Sequence, residues 1–232
     1  MKIINPYFEF VNEPDSEQIL NTIERAYRIC YLSESKGNRD TFIKTKIKAG
    51  HESPLEHASV SVIITTNRGI THEIVRHRVA SYCQESSRYC NYSKDKFDKQ
   101  LTFIRPTWCS EKLVGEISYY NAGLLSIDTD LKDYDINWMF NCLDCEYSYL
   151  KMLNNNYSPE QARDILNNSV ATKIMVTMNI REWRHFFKLR ALGTTGKPHP
   201  EMTQITIPML KEFHKKIPVV FDDLYEKLKG ED

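Results

Sequence analysis

Hydrophobic positions along the chain follow two spacings, and together they predict an alternation of strands and helices. Alternating or β-branched apolar runs predict strands at 3–11, 58–66, 101–104 and 169–178. Apolar residues at helical spacing predict helices at 16–30, 40–48, 70–79, 110–127, 134–154 and 179–192, and a last helical region interrupted by Pro208 and Pro218. This mixed order is typical of the α+β class.

Polar residues mark several element boundaries. Ser158-Pro159-Glu160-Gln161 combines a capping serine, a first-turn proline and a box-completing glutamine, so a helix should start there. Asn67-Arg68-Gly69 predicts a turn, and the polar, aromatic stretch 81–100 predicts a long loop. The chain shows no internal repeat and no linker. We therefore predict one α+β domain over residues 1–232, with a central, mostly antiparallel sheet flanked by helices.

Charge and composition narrow the function classes. Lysine plus arginine number 31 and so do aspartate plus glutamate, which argues against a globally basic nucleic-acid coat. No apolar run is long enough to cross a membrane, and no signal peptide is evident, so we expect a cytoplasmic protein with free thiols. The eight glycines lack the spacing of a Rossmann or P-loop motif. Nucleotide phosphates would have to be held by side chains and helix N-termini.

The segment 76–88 concentrates polar chemistry. Its thirteen residues contain three arginines, one histidine, one glutamate and three serines. Because the guanidinium fork suits phosphate oxygens, this segment can bind an anion without glycine. The alternative is a solvated, charged helix end.

A second cluster spans residues 179–190. Arg181 and His185 lie one helical turn apart, and Arg190 lies at the helix end beside aromatic residues. Asn179 can cap this helix, with Glu182 three residues later, and the first-turn amides could bind an anion or a ring edge. The alternative is an amphipathic helix with a basic outer face.

Other candidate chemistry is weaker. Four of the seven histidines lie between residues 51 and 77, but without metal-ligand spacing, so we predict no metal site. Cys142 and Cys145 form a single CxxC pair for which helix packing is the favoured explanation. Cys83 lies in the basic segment and could be nucleophilic, and the tyrosines at 82, 89 and 92 could stack on a base or fill the core.

Three motifs in order resemble the flavin-dependent thymidylate synthases. Arg76-His77-Arg78, seven residues, then Ser86 matches the RHR-x7-S motif of that family. The segments 51–57, 71–75 and 179–190 resemble its flanking motifs, and Arg163 falls at the spacing of another family arginine.

The resemblance implies an activity and an assembly. This family converts dUMP to dTMP, with methylenetetrahydrofolate as carbon donor and NADPH-reduced FAD as hydride source. Its members are homotetramers with active sites shared between subunits, and they need no enzyme nucleophile, so Cys83 can be incidental. The implied partners are small molecules, without nucleic acid or membrane.

The resemblance also implies residue roles. Arg190 would be catalytic, because its counterpart faces the pyrimidine and favours ionisation at N3. Residues implied to bind dUMP are Glu73, Ile74, Val75, Arg76, Gln84, Glu85, Ser86, Ser87, Arg88, Arg163 and Arg190. Residues implied to bind FAD are Ser53, Arg76, His77, Arg78, Gln84, Asn179, Ile180, Arg181 and His185.

Two positions depart from the family pattern, and two other functions stay open. Ser87 stands where many members have glycine, and Glu73 where some have glutamine. One alternative is a non-catalytic nucleotide- or RNA-binding module that uses the basic loop 76–92. The other is a metal hydrolase that uses the histidines between residues 51 and 77.

Overall fold

A computed structural model of the chain describes residues 1–34 and 37–230. Its strands are β1 (Lys2–Ile4), β2 (Tyr7–Phe10), β3 (Ser59–Asn67), β4 (Ala80–Gln84), β5 (Thr102–Ile104), β6 (Gly115–Glu116) and β7 (Ala171–Asn179). Its α-helices are α1 (Ser16–Tyr31), α2 (Arg39–Lys48), α3 (Arg68–Ile74), α4 (Tyr119–Leu125), α5 (Asp133–Asn154), α6 (Pro159–Ala162), α7 (Ile180–Arg190), α8 (Pro200–Lys216) and α9 (Pro218–Lys229).

The strands form two sheets. A three-stranded sheet has the order β5-β1-β6, in which β1 runs parallel to β5 and antiparallel to β6. A four-stranded sheet has the order β2-β3-β7-β4. The α+β class, with antiparallel strands and helices, is confirmed. Within the described ranges, no helix combines the length and hydropathy that a membrane crossing requires.

The chain divides into two compact units. The first unit contains Met1–Tyr7, Ile64–Val75 and Cys83–Ile174. Its core gathers the β1 and β5 side chains Ile3 and Phe103 with α5 residues that include both CxxC cysteines, Cys142 and Cys145. Burial raises the pKa of both thiols. Helix packing is therefore the role that the structure gives this pair.

The second unit contains Phe8–Ile63, Arg76–Tyr82 and Met175–Asp232. Its core is aromatic: the ring of Trp183 lies 5.0 Å from that of Phe213, and Phe187 and Phe221 lie 5.2 and 5.4 Å from Phe213. These rings fix α7 against α8 and α9 within this unit. The prediction of a single domain over residues 1–232 stays a prediction.

Several predicted boundaries between residues 3 and 100 are wrong. The strand 3–11 is two strands, β1 and β2, because Pro6 lacks the amide that a continuous ladder needs. The predicted turn at residues 67–69 is the start of α3, where Asn67 Oδ1 accepts a hydrogen bond from the amide of Ile70 at 2.8 Å.

The helix predicted over residues 70–79 ends at Ile74, so the RHR motif lies outside it. The carbonyl of His77 accepts a hydrogen bond from the hydroxyl of Tyr82 at 2.6 Å, so a side chain satisfies it within this segment. β4 then occupies the first part of the predicted loop 81–100. Arg76, His77 and Arg78 therefore lie in an irregular connection between α3 and β4.

Two further helix predictions also need correction. The helix 110–127 shrinks to α4, because Gly115 adopts a φ of +137°, which only glycine tolerates readily, and Ser118 then caps the helix. Pro208 does not interrupt the last helical region: α8 runs through it and buries Met209, Leu210 and Phe213. Tertiary burial outweighs the lost hydrogen bond at the proline.

Candidate functional site

The second unit places part of the predicted site on α7. Asn179 Oδ1 caps the helix by accepting from the amide of Glu182 at 2.8 Å, as the sequence predicts. Ile180 is buried, and its amide donates to the carbonyl of Ala58 at 2.9 Å. Arg181 and His185 remain exposed on the same helix. The helix therefore buries its aromatic face and presents a basic one.

His77 is buried against α7. Only 5% of the residue is exposed, and its ring centroid lies 4.9 Å from that of Phe186 and 6.0 Å from that of His185. Its Nε2 accepts a hydrogen bond from Arg190 Nε at 3.1 Å, and its Nδ1 lies 3.4 Å from Glu182 Oε1. Both ring nitrogens are thus directed at protein groups.

Burial, with the positive charges of Arg190 and His185, lowers the pKa of His77 from 6.5 to about 4. The ring is therefore neutral at pH 7 and keeps a lone pair for Arg190. Burial also raises the pKa of the Glu182 carboxyl, although His185 and Arg181 oppose that shift.

Arg190 ends α7 and is held at two points. Its carbonyl accepts a hydrogen bond from the hydroxyl of Thr206 at 2.6 Å, and its Nε donates to His77. Thr206 is itself 1% exposed, on α8. The backbone and the guanidinium are therefore both fixed before any ligand binds.

Ion pairs surround a cavity of about 310 Å³ on the polar side of α7. Its lining residues are Glu52, Glu56, Val79, Asn179, Arg181, Glu182, His185 and Lys188. Arg181 Nη1 bonds Glu56, and Lys188 Nζ lies 3.2 Å from Glu52. These carboxylates lie beside cations, so the cavity is polar without a large excess of either charge.

The donor set of this unit fits the flavin cofactor expected from the resemblance. Arg76, Arg78 and Arg181 expose guanidiniums that suit phosphate oxygens, and Asn179 marks the N-terminus of an eleven-residue helix. His185 adds a ring donor or acceptor. Ser53 is exposed at the start of a 3₁₀ turn, Ser53–His57.

His77, Glu182 and His185 also approach the geometry of a metal site. Each offers one ligand atom, and these atoms lie within 4.8 Å of one another. However, Arg190 can only donate, so His77 Nε2 must be the unprotonated nitrogen and Nδ1 must carry the hydrogen. An Nδ1–H facing Glu182 cannot ligate a metal. The arrangement suits a hydrogen bond from Arg190 to His77, with the Glu182 carboxylate beside Nδ1.

The first unit holds the predicted substrate loop. Gln84 Nε2 donates to the hydroxyls of Thr71 and Thr172 at 3.1 and 3.3 Å. The carboxylate of Glu85 accepts from the hydroxyl of Tyr92 at 2.6 Å, and the amide of Glu85 donates to the carbonyl of Lys173 at 2.9 Å. Both side chains at the end of β4 are therefore held by protein hydrogen bonds.

Glu85 also lines a cavity of about 700 Å³ in the first unit. Lys96 and Lys173 supply positive charge to its wall, and Thr65 supplies a hydroxyl. The Thr65 residue is 4% exposed, and its Oγ1 has no hydrogen-bond partner among the described residues. This wall offers a bound molecule both cations and an unused hydroxyl.

Ser86 opens a tight turn beside α6. The carbonyl of Ser86 accepts from the amides of Tyr89 and Cys90, and its Oγ accepts from the amide of Arg88 at 3.3 Å. Arg88 Nε then pairs with Glu160 Oε1 at 2.9 Å, in the four-residue helix that Arg163 follows. The structure thus brings the Ser86–Arg88 turn to the helix that precedes Arg163.

The predicted site residues differ in exposure. Exposed ones are Ser53, Val75, Arg76, Arg78, Arg88, Arg181 and His185. Half-buried ones are Glu73, Gln84, Glu85, Ser86, Ser87, Arg163, Asn179 and Arg190. Buried ones are Ile74, His77 and Ile180.

Sequence reasoning missed several residues of these sites. Glu182 was predicted only as part of a cap, yet its carboxylate faces His77. Glu160 and Tyr92 were not expected to hold Arg88 and Glu85. Of the three tyrosines, Tyr82 and Tyr92 donate to protein groups, whereas Tyr89 is 78% exposed. Only spatial contact reveals these partners.

Comparisons with known proteins agree on one family. The family model described as thymidylate synthase complementing protein matches residues 14–219. A flavin-dependent thymidylate synthase of Mycolicibacterium gilvum is 31% identical over 226 residues, which cover 94% of this chain and 84% of the relative. The enzyme of the same name from Pyrococcus furiosus is 34% identical over 207 residues, 85% of this chain and 75% of the relative.

A solved structure shows the same fold. The UMP/dUMP methylase PolB of Streptomyces cacaoi, crystallised with 5-Br dUMP, matches with a TM-score of 0.72 and covers 96% of both chains. Its sequence identity is 20%, so this likeness concerns the fold alone.

Proposed function

The chain belongs to the family of flavin-dependent thymidylate synthases and is a methyltransferase enzyme, and from that premise we propose that it converts dUMP to dTMP. The carbon donor is methylenetetrahydrofolate. When bound, FAD reduced by NADPH supplies a hydride. In the net reaction the C5–H bond of the pyrimidine breaks, a C5–CH₂ bond forms, the methylene leaves tetrahydrofolate, and the hydride completes the methyl group. The C5 proton goes to solvent.

The observation that carries the proposal is the fixed cation at the end of α7. Arg190 is held by Thr206 and by neutral His77, so its guanidinium needs no reorganisation when charge develops nearby. A preorganised cation stabilises the negative charge of a pyrimidine that ionises at N3. We assign Arg190 this catalytic role, in a reaction that uses no enzyme nucleophile.

Substrate binding is assigned mainly to the loop that follows β4. Ser86, Ser87, Arg88 and Arg163 hold the phosphate and sugar of dUMP. We assign Gln84 and Glu85 to the edge of the same pocket, and Glu73, Ile74, Val75, Arg76 and Arg190 to the rest of the substrate set. The turn that Ser86 opens supports this assignment, because it supplies hydroxyl and guanidinium donors on one short segment.

Flavin binding is assigned mainly to the α7 side of the second unit. The residues are Ser53, Arg76, Arg78, Gln84, Asn179, Ile180, Arg181 and His185; the resemblance also implies His77, whose ring is buried. The exposed guanidiniums and the helix N-terminus support this set, whereas Ile180 would contribute through its position rather than through its buried side chain.

The remaining features of the proposal concern assembly and location. We propose a cytoplasmic homotetramer whose active sites are shared between subunits, without a metal, nucleic acid or membrane as partner. Exposed arginines support shared sites, because Arg76 and Arg78 present cations at the surface of one chain. Ligands that lie between chains would neutralise them.

Two measurements on the purified protein test the proposal. We expect flavin absorbance that changes on addition of dUMP, and dUMP-dependent release of tritium from C5-labelled substrate when methylenetetrahydrofolate and NADPH are present. A colourless protein that does not take up FAD, or a flavoprotein without tritium release, would contradict it. Preference for oligonucleotides over dUMP, with a steep salt dependence, would instead favour the nucleic-acid-binding alternative.

A further inference from the structure

His77 stands apart from the other residues assigned to the flavin. Its residue exposure is 5%, whereas Arg76 and Arg78 on either side are exposed. Its carbonyl is held by Tyr82, and its ring packs on Phe186. A side chain so enclosed has little surface left for a ligand.

The two contacts of this ring assign its proton to one nitrogen. Arg190 Nε can only donate, so His77 Nε2 must accept. The ring proton then lies on Nδ1, which faces Glu182 Oε1 at 3.4 Å. Glu182 is half-buried, and this distance places its carboxylate where it favours a proton on Nδ1. One hydrogen bond, from Arg190 to His77, and one charge contact, from His77 to Glu182, therefore link the three residues.

We propose that His77 is a positioning residue for Arg190, with Glu182 fixing the tautomer of its ring, and that it is not a direct ligand of the flavin. The inference rests on the proposed function in one respect, that Arg190 acts on the pyrimidine. It replaces the flavin contact that the family resemblance implies for His77. The hydrogen-bond acceptor at Nε2, rather than ring shape alone, carries the effect.

Two substitutions separate the acceptor from the shape. His77→Phe keeps a ring of similar size without an acceptor, and we expect the kcat for tritium release to fall about 10-fold or more, with the Kd for FAD unchanged within about twofold. His77→Gln can return an oxygen to the position of Nε2, so we expect it to recover most of the lost kcat. The KM for dUMP should move less than kcat in both variants.

His214 offers a matched control within the same unit. Its Nε2 lies 2.9 Å from Asp222 Oδ1, and its ring stacks on Tyr225 at 4.0 Å, so it also has a carboxylate and an aromatic neighbour. It belongs to no proposed site, and His214→Phe should leave kcat and the Kd for FAD unchanged.

Three results would overturn the proposal. One is a Kd for FAD that rises in His77→Phe as much as kcat falls, which would make His77 a flavin ligand. Another is an unchanged kcat in His77→Phe. The third is a His77→Gln variant as slow as His77→Phe, because the acceptor would then not matter.

The Glu182 contact can be tested in the same assay. Glu182→Leu removes the partner of Nδ1, so the ring can adopt the opposite tautomer and present an N–H to Arg190. We expect a fall in kcat of about threefold or more, while Glu182→Gln, whose amide oxygen still accepts, stays near wild type. Equal kcat values for the two variants would show that Glu182 does not fix the tautomer of His77.

A nuclear magnetic resonance measurement tests the contact between Arg190 and His77 without an activity assay. In protein labelled with ¹⁵N-histidine, the His77 resonances, assigned by their loss in His77→Phe, should show a protonated Nδ1 and an unprotonated Nε2 at pH 7. The opposite tautomer would overturn the proposal even if every variant folded poorly. If wild-type protein shows this tautomer but no dUMP-dependent tritium release, the proposed function is wrong, while the contact between Arg190 and His77 is confirmed.

Discussion

The two units hold their key arginines in opposite ways. In the second unit, Arg190 is half-buried and is fixed by a buried threonine and a neutral histidine. In the first unit, the Arg88 side chain is 49% exposed, and its partner Glu160 is 53% exposed. Exposed ion pairs contribute about 0–1 kcal/mol to stability, so Arg88 can exchange its partner readily. The contrast indicates a preorganised cation suited to chemistry and an exposed, exchangeable one suited to binding.

A second arginine of α7 extends this contrast to stability. The Arg184 side chain is 1% exposed, and it lies 2.7 Å from Asp223 Oδ1 and 3.2 Å from Glu52 Oε1. Its Nη1 also donates to the carbonyl of Val220. This buried network ties α7 to α9 and to the segment before the 3₁₀ turn, all within the second unit.

The largest effect should follow the loss of that network. Arg184→Ala removes a buried side chain together with its hydrogen bonds to Asp223, Glu52 and the Val220 carbonyl, and we expect the free energy of unfolding in urea to fall by about 3–5 kcal/mol. Arg25→Ala, which removes an exposed arginine of α1, is the control and should change it by less than about 0.5 kcal/mol. Equal losses in the two variants would break the contrast between buried and exposed arginines.

Removing the preorganised cation should be the next largest effect. Arg190→Ala should lower kcat for tritium release by about 100- to 1,000-fold, the range seen when one fixed donor to a developing charge is lost. FAD binding, followed by flavin absorbance, should be largely spared. If the Kd for FAD rose in proportion, Arg190 would be a structural or cofactor-binding residue instead.

The buried histidine predicts a pH dependence of stability. The pKa of His77 is about 4 in the folded state against an ordinary 6.5, so the unfolded chain binds more protons between these values. The free energy of unfolding should therefore fall as pH drops from 6.5 towards 4, by about 2 kcal/mol at pH 5. Charging the ring would set it against Arg190 and His185, while Glu182 takes up a proton over the acidic range.

The measurement is a pair of urea titrations at pH 7 and pH 5, on wild-type protein and on His77→Phe. The variant lacks the group that titrates. Between pH 7 and pH 5 its free energy of unfolding should therefore decrease by about 2 kcal/mol less than that of wild type. If the free energy of unfolding of His77→Phe decreases as much as that of wild type, other groups cause the acid sensitivity.

Local sequence patterns predict much of the fold, but only where a single pattern determines the structure of a segment. Asn179 and Ser158 cap their helices as the sequence predicts, because capping depends on residues three positions apart. The helix predicted over residues 70–79 instead ends at Ile74, and His77 packs against Phe186 of α7. Local periodicity cannot anticipate such a tertiary contact.

The candidate site shows the same limit. The sequence motifs identify the arginines of the candidate site. The match to the family model supports the kind of reaction expected of them. Which groups hold them was not predictable, because Glu182, Thr206 and Glu160 meet their partners through folding across long sequence separations. A glutamate that completes a cap has no sequence feature that also marks it as the partner of a histidine 105 positions earlier.

The smallest expected effect concerns the exposed pair in the first unit. Arg88→Ala should raise the Kd for dUMP about 10-fold, the loss of one charge-assisted hydrogen bond, while the free energy of unfolding changes by less than about 0.5 kcal/mol. Glu160→Gln is the matched variant: it removes the competitor that holds Arg88 in the unliganded protein, so dUMP should bind as well as in wild type or slightly more tightly. Isothermal titration with dUMP measures both. Weaker binding in Glu160→Gln would mean that Glu160 orients Arg88 for the phosphate. Arg88 would then be as preorganised as Arg190.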